Sequence, residues 1–398
     1  MLRRWRGPFS DSSFWTTNLL ILVATVFLER FGQGLVNAVS TNFFVDTLHL
    51  SGTQVLWLTG FREIPGLSLM FVAALVMHLP LVRRATIALI LMGIGYGLYF
   101  FVQSYTALVA MAIIASLGFH NWSPVEQALG MGLAPKGRSG EVLGTLMSVS
   151  ALSAIVGMGV VALLAFVVPL RAFYAIGGIV IIGAAILVCR LPKNVGDTGK
   201  AMPRMLLSRR YWLYYVLTFF EGSRMQVFGT FGTLILVQSY GWNARAISLL
   251  LLASSVVNLL LVPRLGKLID RFGERWTLTG SYVALAACFM GYATVHNPWF
   301  LGAMLICINL LVMLHIALST YVNRIAPPGE LSPTLSAGMS INHVTSVSMS
   351  LLAGSLLQLV GYEKLCWGAA AIILASVPFA MALRVRVPAP APSLAPAE

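Results

Sequence analysis

Several of the 13 acidic residues stand inside long apolar runs, close to arginines. Glu29 adjoins Arg30, Arg62 adjoins Glu63, Glu221 lies three residues before Arg224, and Glu126 stands alone in its run. An ionised group at mid-membrane costs ~2.5–3.5 kcal/mol even on the lenient insertion scale, so it must face water or a partner. Groups held this way can pair, carry protons or bind a charged solute. Glu221 and Arg224 share a helix face and can pair locally. Glu29 and Arg30 diverge by about 100° around a helix, so at least one should reach another helix, with Arg62 or Glu63 as the expected partner. Glu29, Gln33, Asn37 and Thr41 recur every four residues, a polar stripe that should line a wet cavity. His120, His315 and His343 also lie within apolar runs; imidazole titrates near neutral pH and can relay protons or bind an anion. The candidate cavity set is therefore Glu29, Arg30, Gln33, Asn37, Arg62, Glu63, His120, Glu126, Glu221, Arg224, His315 and His343, with Glu29 and Glu221 as candidate proton carriers.

These residues need helices to position them. The chain has 398 residues, 58% apolar and 10% charged, where a soluble domain carries about 25% charged residues. A membrane helix takes roughly 20 apolar residues, and twelve of them account for the chain. The pattern predicts an all-α membrane protein with helices over 15–45, 53–79, 85–103, 105–134, 141–168 and 171–191, then over 211–239, 246–269, 276–295, 298–325, 331–359 and 363–383. Residues 1–191 and 211–387 form two six-helix bundles, 192–210 a basic connector, and 388–398 a Pro/Ala-rich tail expected to be disordered. The net charge of +13 does not point to nucleic acid. With both termini inside, most Lys and Arg fall on the cytoplasmic side, and only Arg171, Arg245 and Lys364 fall outside. The first apolar run is too long for a signal peptide and reads as a retained helix. Cys189, Cys288, Cys307 and Cys366 have no metal-ligand spacing and read as small core residues. No phosphate-binding loop, catalytic triad or metal motif appears, so no enzyme activity, cofactor or metal is expected.

The two halves repeat. Glu29 and Glu221, Ala134-Pro135 and Ala326-Pro327, and Met147-Ser148 and Met339-Ser340 all share an offset of 192. Between the predicted eighth and ninth helices lies Gly266-Lys267-Leu268-Ile269-Asp270-Arg271-Phe272-Gly273-Glu274-Arg275, in which two glycines bracket a charged cluster as a tight cytoplasmic hairpin would require. This run fills every fixed position of G-x-L-x-D-R-x-G-x-R, and the chain resembles the major facilitator superfamily. The matching stretch of the first half, 74–84, keeps only its terminal arginines and has His78 at the aspartate position.

The resemblance implies twelve transmembrane helices in two pseudo-symmetric bundles around a central site between helices 1, 4, 7 and 10, with solute transport by alternating access. It also implies a gating role for Gly266, Asp270, Arg271, Gly273 and Arg275, with Asp270 latching near Arg138 to Glu141 at the start of helix 5. Leu28-Glu29-Arg30-Phe31 resembles part of the E-x-x-E-R-F pattern of proton-coupled peptide transporters; Val26 replaces its first glutamate, so peptide specificity is not carried over. The Gly-Pro motif and helix 4 arginine usual in drug/proton antiporters are missing. The expected function is secondary transport of a small organic solute, with protons as the candidate coupling ion. A lipid or lysolipid flippase of the same fold and a non-transporting membrane sensor are the alternatives. The expected setting is a monomer in the bilayer of a bacterial inner membrane, both termini cytoplasmic, with no nucleic-acid partner.

Overall fold

The computed structural model describes residues 14–68, 76, 78–195 and 207–384. The N-terminal stretch 1–13, residues 74, 75 and 77 of the first-half signature, the connector core 196–206 and the tail 388–398 lie outside the described residues. The described part is helical throughout. We label its helices α1 (Thr17–Asn42), α2 (Gly52–Leu67), α3 (Leu81–Gly97), α4 (Tyr105–Leu133), α5 (Ser139–Leu164), α6 (Leu170–Val188), α7 (Trp212–Gln238) and α10 (Pro298–Ile325). The helical stretches Ala244–Thr294 and Pro328–Met381 each break at a glycine with positive φ, Gly273 (φ 76°) and Gly361 (φ 78°). These breaks divide them into α8 (244–272), α9 (274–294), α11 (328–360) and α12 (362–381).

Helix starts follow from local side chains. Thr16 Oγ1 accepts the Leu19 amide at 3.2 Å, Ser51 and Gln54 form a reciprocal capping box, and Asn243 Oδ1 accepts from Ala246 at 2.9 Å. Among the described residues, eight helical stretches, two of them the ones that break at Gly273 and Gly361, are long and apolar enough to cross a membrane by length and composition. Their outward faces carry large apolar side chains such as Phe101, Leu163, Phe166, Ile179 and Leu359, each at least two-thirds exposed. In water such a surface would aggregate; in a bilayer it is the solvated face.

Helix packing relies on small residues. A methyl group on Gly34 of α1 would sit 2.6 Å from the Ala154 carbonyl of α5, and one on Gly157 would sit 2.5 Å from the Phe31 carbonyl, so these two backbones touch. Gly178 of α6 meets Gly93 and Gly97 of α3 in the same way. With apolar lipid on all sides, close backbone approach and dispersion hold helices together better than further apolar bulk would.

The helix pattern repeats at the offset of 192. α4 displaced by 192 falls on 297–325, against the observed Pro298–Ile325, and α6 falls on 362–380, against 362–381. One contact joins a position to its own copy: the Thr41 and Thr233 hydroxyls, 192 apart, hydrogen-bond at 2.9 Å. The axis relating the halves therefore passes between them.

Cross-half hydrogen bonds cluster toward the end bearing the α1–α2 and α7–α8 turns. Asn42 donates to the Trp242 carbonyl (2.9 Å), Thr53 to Gly354 (2.8 Å), Trp57 Nε1 to Leu351 (3.1 Å) and Ser248 to Ala38 (3.3 Å). α5 and α8 meet where Ser255 approaches Met158 Sδ at 3.6 Å. Nearer their other ends, a methyl group on Gly140, Gly144 or Gly266 would meet nothing within 4 Å. With both termini inside, as the charge distribution leads one to expect, this closed end would be the outer one.

Two expectations need correction. The loop expected after residue 269 is not a loop: α8 runs on through Phe272, helped by the good helix formers Lys267, Leu268 and Arg271, and only Gly273 leaves helical geometry. Of the two bracketing glycines, Gly273 makes the turn and Gly266 is helical. The four cysteines are not all core residues; Cys288 and Cys366 are buried, whereas Cys189 and Cys307 are exposed on the helix surfaces.

Candidate functional site

Four helices of the first half and one of the second enclose a cavity of ≈ 200 Å³. Its walls are Gln33 and Asn37 from α1, Thr59, Arg62 and Glu63 from α2, Tyr96 from α3, Ser116, Phe119 and His120 from α4, and Thr230 from α7. Five of the twelve candidate residues, Gln33, Asn37, Arg62, Glu63 and His120, line it. The helical register explains this. Thr59, Arg62 and Glu63 fall on one face of α2 at i, i+3 and i+4, as Ser116, Phe119 and His120 do on α4.

Arg62 is the cation of this cavity. Its Nη2 donates to the Tyr96 hydroxyl at 3.4 Å, and among the described residues no carboxylate lies within ion-pair distance. Its own carbonyl accepts the Ser116 hydroxyl, tying α2 to α4 at this level. Glu63, its sequence neighbour, turns the other way. The Glu63 carboxylate meets His343 Nδ1 of α11 at 2.9 Å, which joins the two halves across the cavity rim. The His120 ring stands edge-on to that of His343, with centroids 5.0 Å apart.

Behind the α1 wall lies a second charged group. Glu29 is fully buried and accepts a hydrogen bond from Gln33 Nε2. Arg30 Nε lies 3.1 Å from Glu29, and Arg30 Nη2 lies 3.2 Å from Glu126 of α4. Arg30 thus reaches across as the 100° divergence requires, but to Glu126 rather than to α2. The arginine bridges two carboxylates, and Gln33 connects that network to the cavity.

The remaining candidates lie elsewhere. Glu221 and Arg224 pair with each other, both almost fully buried, and Tyr282 of α9 donates to Glu221 at 3.2 Å while its ring packs 4.2 Å beneath the Arg224 guanidinium. Glu221 therefore faces α9 and, like Glu29, does not line the cavity. His315 sits in a 3-10 turn within α10, with Nδ1 2.9 Å from the Val312 carbonyl of its own helix. No residue of α10 lines this cavity, whose walls come from α1, α2, α3, α4 and α7. At the signature, Asp270 is exposed and makes no hydrogen bond or ion pair among the described residues. Arg138 pairs instead with Glu141 of its own helix at 2.7 Å. The engaged carboxylate there is Glu274, which is buried and meets Arg324 at 2.9 Å. Arg271 and Arg275 lie over the Phe272 and Trp276 rings.

Thr59, Tyr96, Ser116, Phe119 and Thr230 line the cavity without having stood out in the sequence. The i, i+3, i+4 spacing to Arg62 and His120 was the available signal for Thr59, Ser116 and Phe119. Nothing in the sequence marks Tyr96 or Thr230. A second cavity, ≈ 260 Å³, lies between α7, α11 and α12; Arg224 and Lys364 are its charged members, and most of its wall is aliphatic, including Leu352, Leu356 and Ile372.

A buried, ion-lined pocket between two repeated helical halves inside an apolar belt is the architecture of a membrane transporter. The family model described as Major Facilitator Superfamily matches the chain twice, over residues 22–222 and 214–398, and the chain belongs to that superfamily. It is a multi-pass membrane transporter and not an enzyme. No curated protein sequence matches it. Among solved structures, the nucleoside transporter NupG is similar at TM-score 0.76 and 15% identity, over 92% of this chain and 99% of that one. A D-xylose-proton symporter is similar at TM-score 0.70 and 13% identity, over 92% and 97%. A mutant of the peptide transporter POT is similar at TM-score 0.75 and 11% identity, over 95% of both chains. At such identities the likeness is one of fold.

Proposed function

We propose that this protein is a secondary transporter that moves a small organic solute carrying an anionic group, by alternating access, with proton coupling through Glu29. The observation that carries this reading is Arg62, a guanidinium in a polar cavity with no carboxylate paired to it. A half-buried guanidinium without an anion is poorly satisfied, and a planar carboxylate or similar group supplies the two acceptors its fork geometry needs. Gln33, Asn37, Thr59, Ser116 and Thr230 offer amides and hydroxyls to the rest of the solute. The volume of ≈ 200 Å³ limits that solute to a small metabolite.

Coupling follows from connectivity. A proton on Glu29 would leave Arg30 to Glu126 alone and weaken the charge-assisted bond that holds Gln33, which lies in the solute's wall. The D-xylose symporter named above uses protons, by its own description. Residues 1–191 and 211–387 would rock as two bodies joined by 192–210, with Asp270 latching near Arg138 and Glu141 when the cytoplasmic ends close. The protein would act as a monomer in a bacterial inner membrane with both termini cytoplasmic.

A thermal-shift screen of small organic anions on the purified protein, followed by flux of any hit in proteoliposomes with and without a pH gradient, tests the reading. Arg62→Gln should abolish the shift. Glu29→Gln should leave solute exchange intact and remove its response to the gradient. A hit that binds Arg62→Gln as well as wild type, or coupling unchanged in Glu29→Gln, would overturn it. The aliphatic cavity beside α12 supports a second reading, translocation of a lipid; lipid-analogue flux that survives Arg62→Gln would favour it.

A further inference from the structure

We propose that Glu63, His120 and His343 form a binding site for a divalent transition-metal ion that bridges the two halves of the molecule. One donor atom from each residue lies within 4.8 Å of the other two. Glu63 comes from α2, His120 from α4 and His343 from α11, so the set draws on both halves. Glu63 and His343 are already in contact at 2.9 Å, and the two imidazoles meet at 5.0 Å between centroids and 84° between planes, which aims one ring edge across the other.

The backbone makes room for this arrangement. A methyl group on Gly66 would lie 2.7 Å from His343 Cε1 and 3.1 Å from His120 Cε1, so both rings rest against one turn of α2 that only glycine keeps clear. The opposite side is open, since Glu63 and His120 line the central cavity.

Two imidazoles and one carboxylate suit zinc and its d-block neighbours. Calcium and magnesium prefer sites made only of oxygen. Zn–N and Zn–O bonds are about 2.0–2.2 Å, so tetrahedral donors stand roughly 3.4 Å apart. Binding would draw the donors in from their present spread, within 4.8 Å of one another, to that separation. Three protein ligands leave a fourth position free, as in zinc sites that exchange a ligand, and here that position faces the cavity. An ion held this way ties α2 to α11 at the inner edge of the closed outer seam. Binding therefore favours the outward-closed arrangement described above.

The test uses the full-length protein purified in detergent. Zn²⁺ titrated by calorimetry should show one saturable site. Glu63→Gln, His120→Ala and His343→Ala should each weaken it by about 100-fold or more. Gly66→Ala should weaken it while keeping every ligand. His315→Ala and His296→Ala should leave it unchanged, since His315 is bonded within its own helix and His296 lies at the surface beside Glu363. Cu²⁺ in place of zinc should give an electron paramagnetic resonance spectrum with coupling to two imidazole nitrogens, falling to one in either histidine variant. Unliganded melting temperatures separate a lost site from a lost fold, and His343→Gln replaces any His343→Ala protein that fails to fold. In a cysteine-free background, labelling of Thr233→Cys at the outer seam should slow when Zn²⁺ is added. No saturable site in wild type, an affinity indifferent to both histidine variants, or two nitrogens persisting after either is removed would overturn the site; unchanged labelling would overturn the bridge.

Discussion

The intramembrane charges fall into two kinds, sealed and open. Glu221 and Arg224 are sealed from the central cavity: they pair with each other and Tyr282 packs over them, leaving Glu221 Oε2 and Arg224 Nη1 without hydrogen bonds among the described residues. Removing one member strands a buried charge, so Glu221→Gln should destabilise the protein by about 3–5 kcal/mol, visible as a lower melting temperature, with little effect on solute affinity. Arg62 is open. If it holds the anionic end of the solute, Arg62→Gln should weaken binding by about 2–5 kcal/mol while leaving the melting temperature of the unliganded protein almost unchanged, and Arg62→Lys should recover only part, because a single ammonium cannot offer two parallel donors. Both measurements use one preparation, which separates folding from binding. The sequence could show that these ions needed partners, since the cost of an unpaired charge depends only on depth. It could not show which ones. Arg30 chose Glu126 over α2, and Glu63 chose His343, through helix rotation and neighbour identity that no local pattern encodes.

Helices carry a second layer of information in their glycines. At Gly34 and Gly157 the requirement is contact between backbones, so Gly157→Val should push α1 from α5 and cost about 1–3 kcal/mol, read as a fall in melting temperature. At Gly273 the requirement is conformational. With φ 76° and ψ 165° it lies in a region almost closed to other residues, and Gly273→Ala should cost about 1–3 kcal/mol. Gly266→Ala, seven residues earlier on open helix, should be neutral or stabilising by up to about 1 kcal/mol. Equal losses from the two substitutions would show that the signature acts as a loop after all. The position of the α8–α9 break could be read from the sequence, because charge and glycine mark it. The length of α8 could not: several of the charged residues that suggested a solvated hairpin, Lys267 and Arg271 among them, are good helix formers.

For the whole molecule, the repeat offset of 192 was legible and sets the architecture, since matched elements at a constant spacing leave few ways to arrange two halves. The conformation was not legible, because both states of a rocking molecule satisfy the same pattern. The cross-half hydrogen bonds at the outer end define it. Cysteines at Thr41 and Thr233 should therefore oxidise to a disulfide readily and stop flux, with activity restored by reductant. Efficient cross-linking without inhibition would show that the outer seam does not need to part.

All but one of the side chains around the central cavity come from α1 to α4; Thr230 alone comes from the other side. Under the proposed function, a solute seated there would be a passenger of one body, and the second body would be a shutter sliding past it. Such a passenger would keep nearly all its contacts whichever door is open. Its dissociation constants measured from the two faces of the membrane should then be close to equal, and accumulation would come from the proton gradient rather than from a difference in grip.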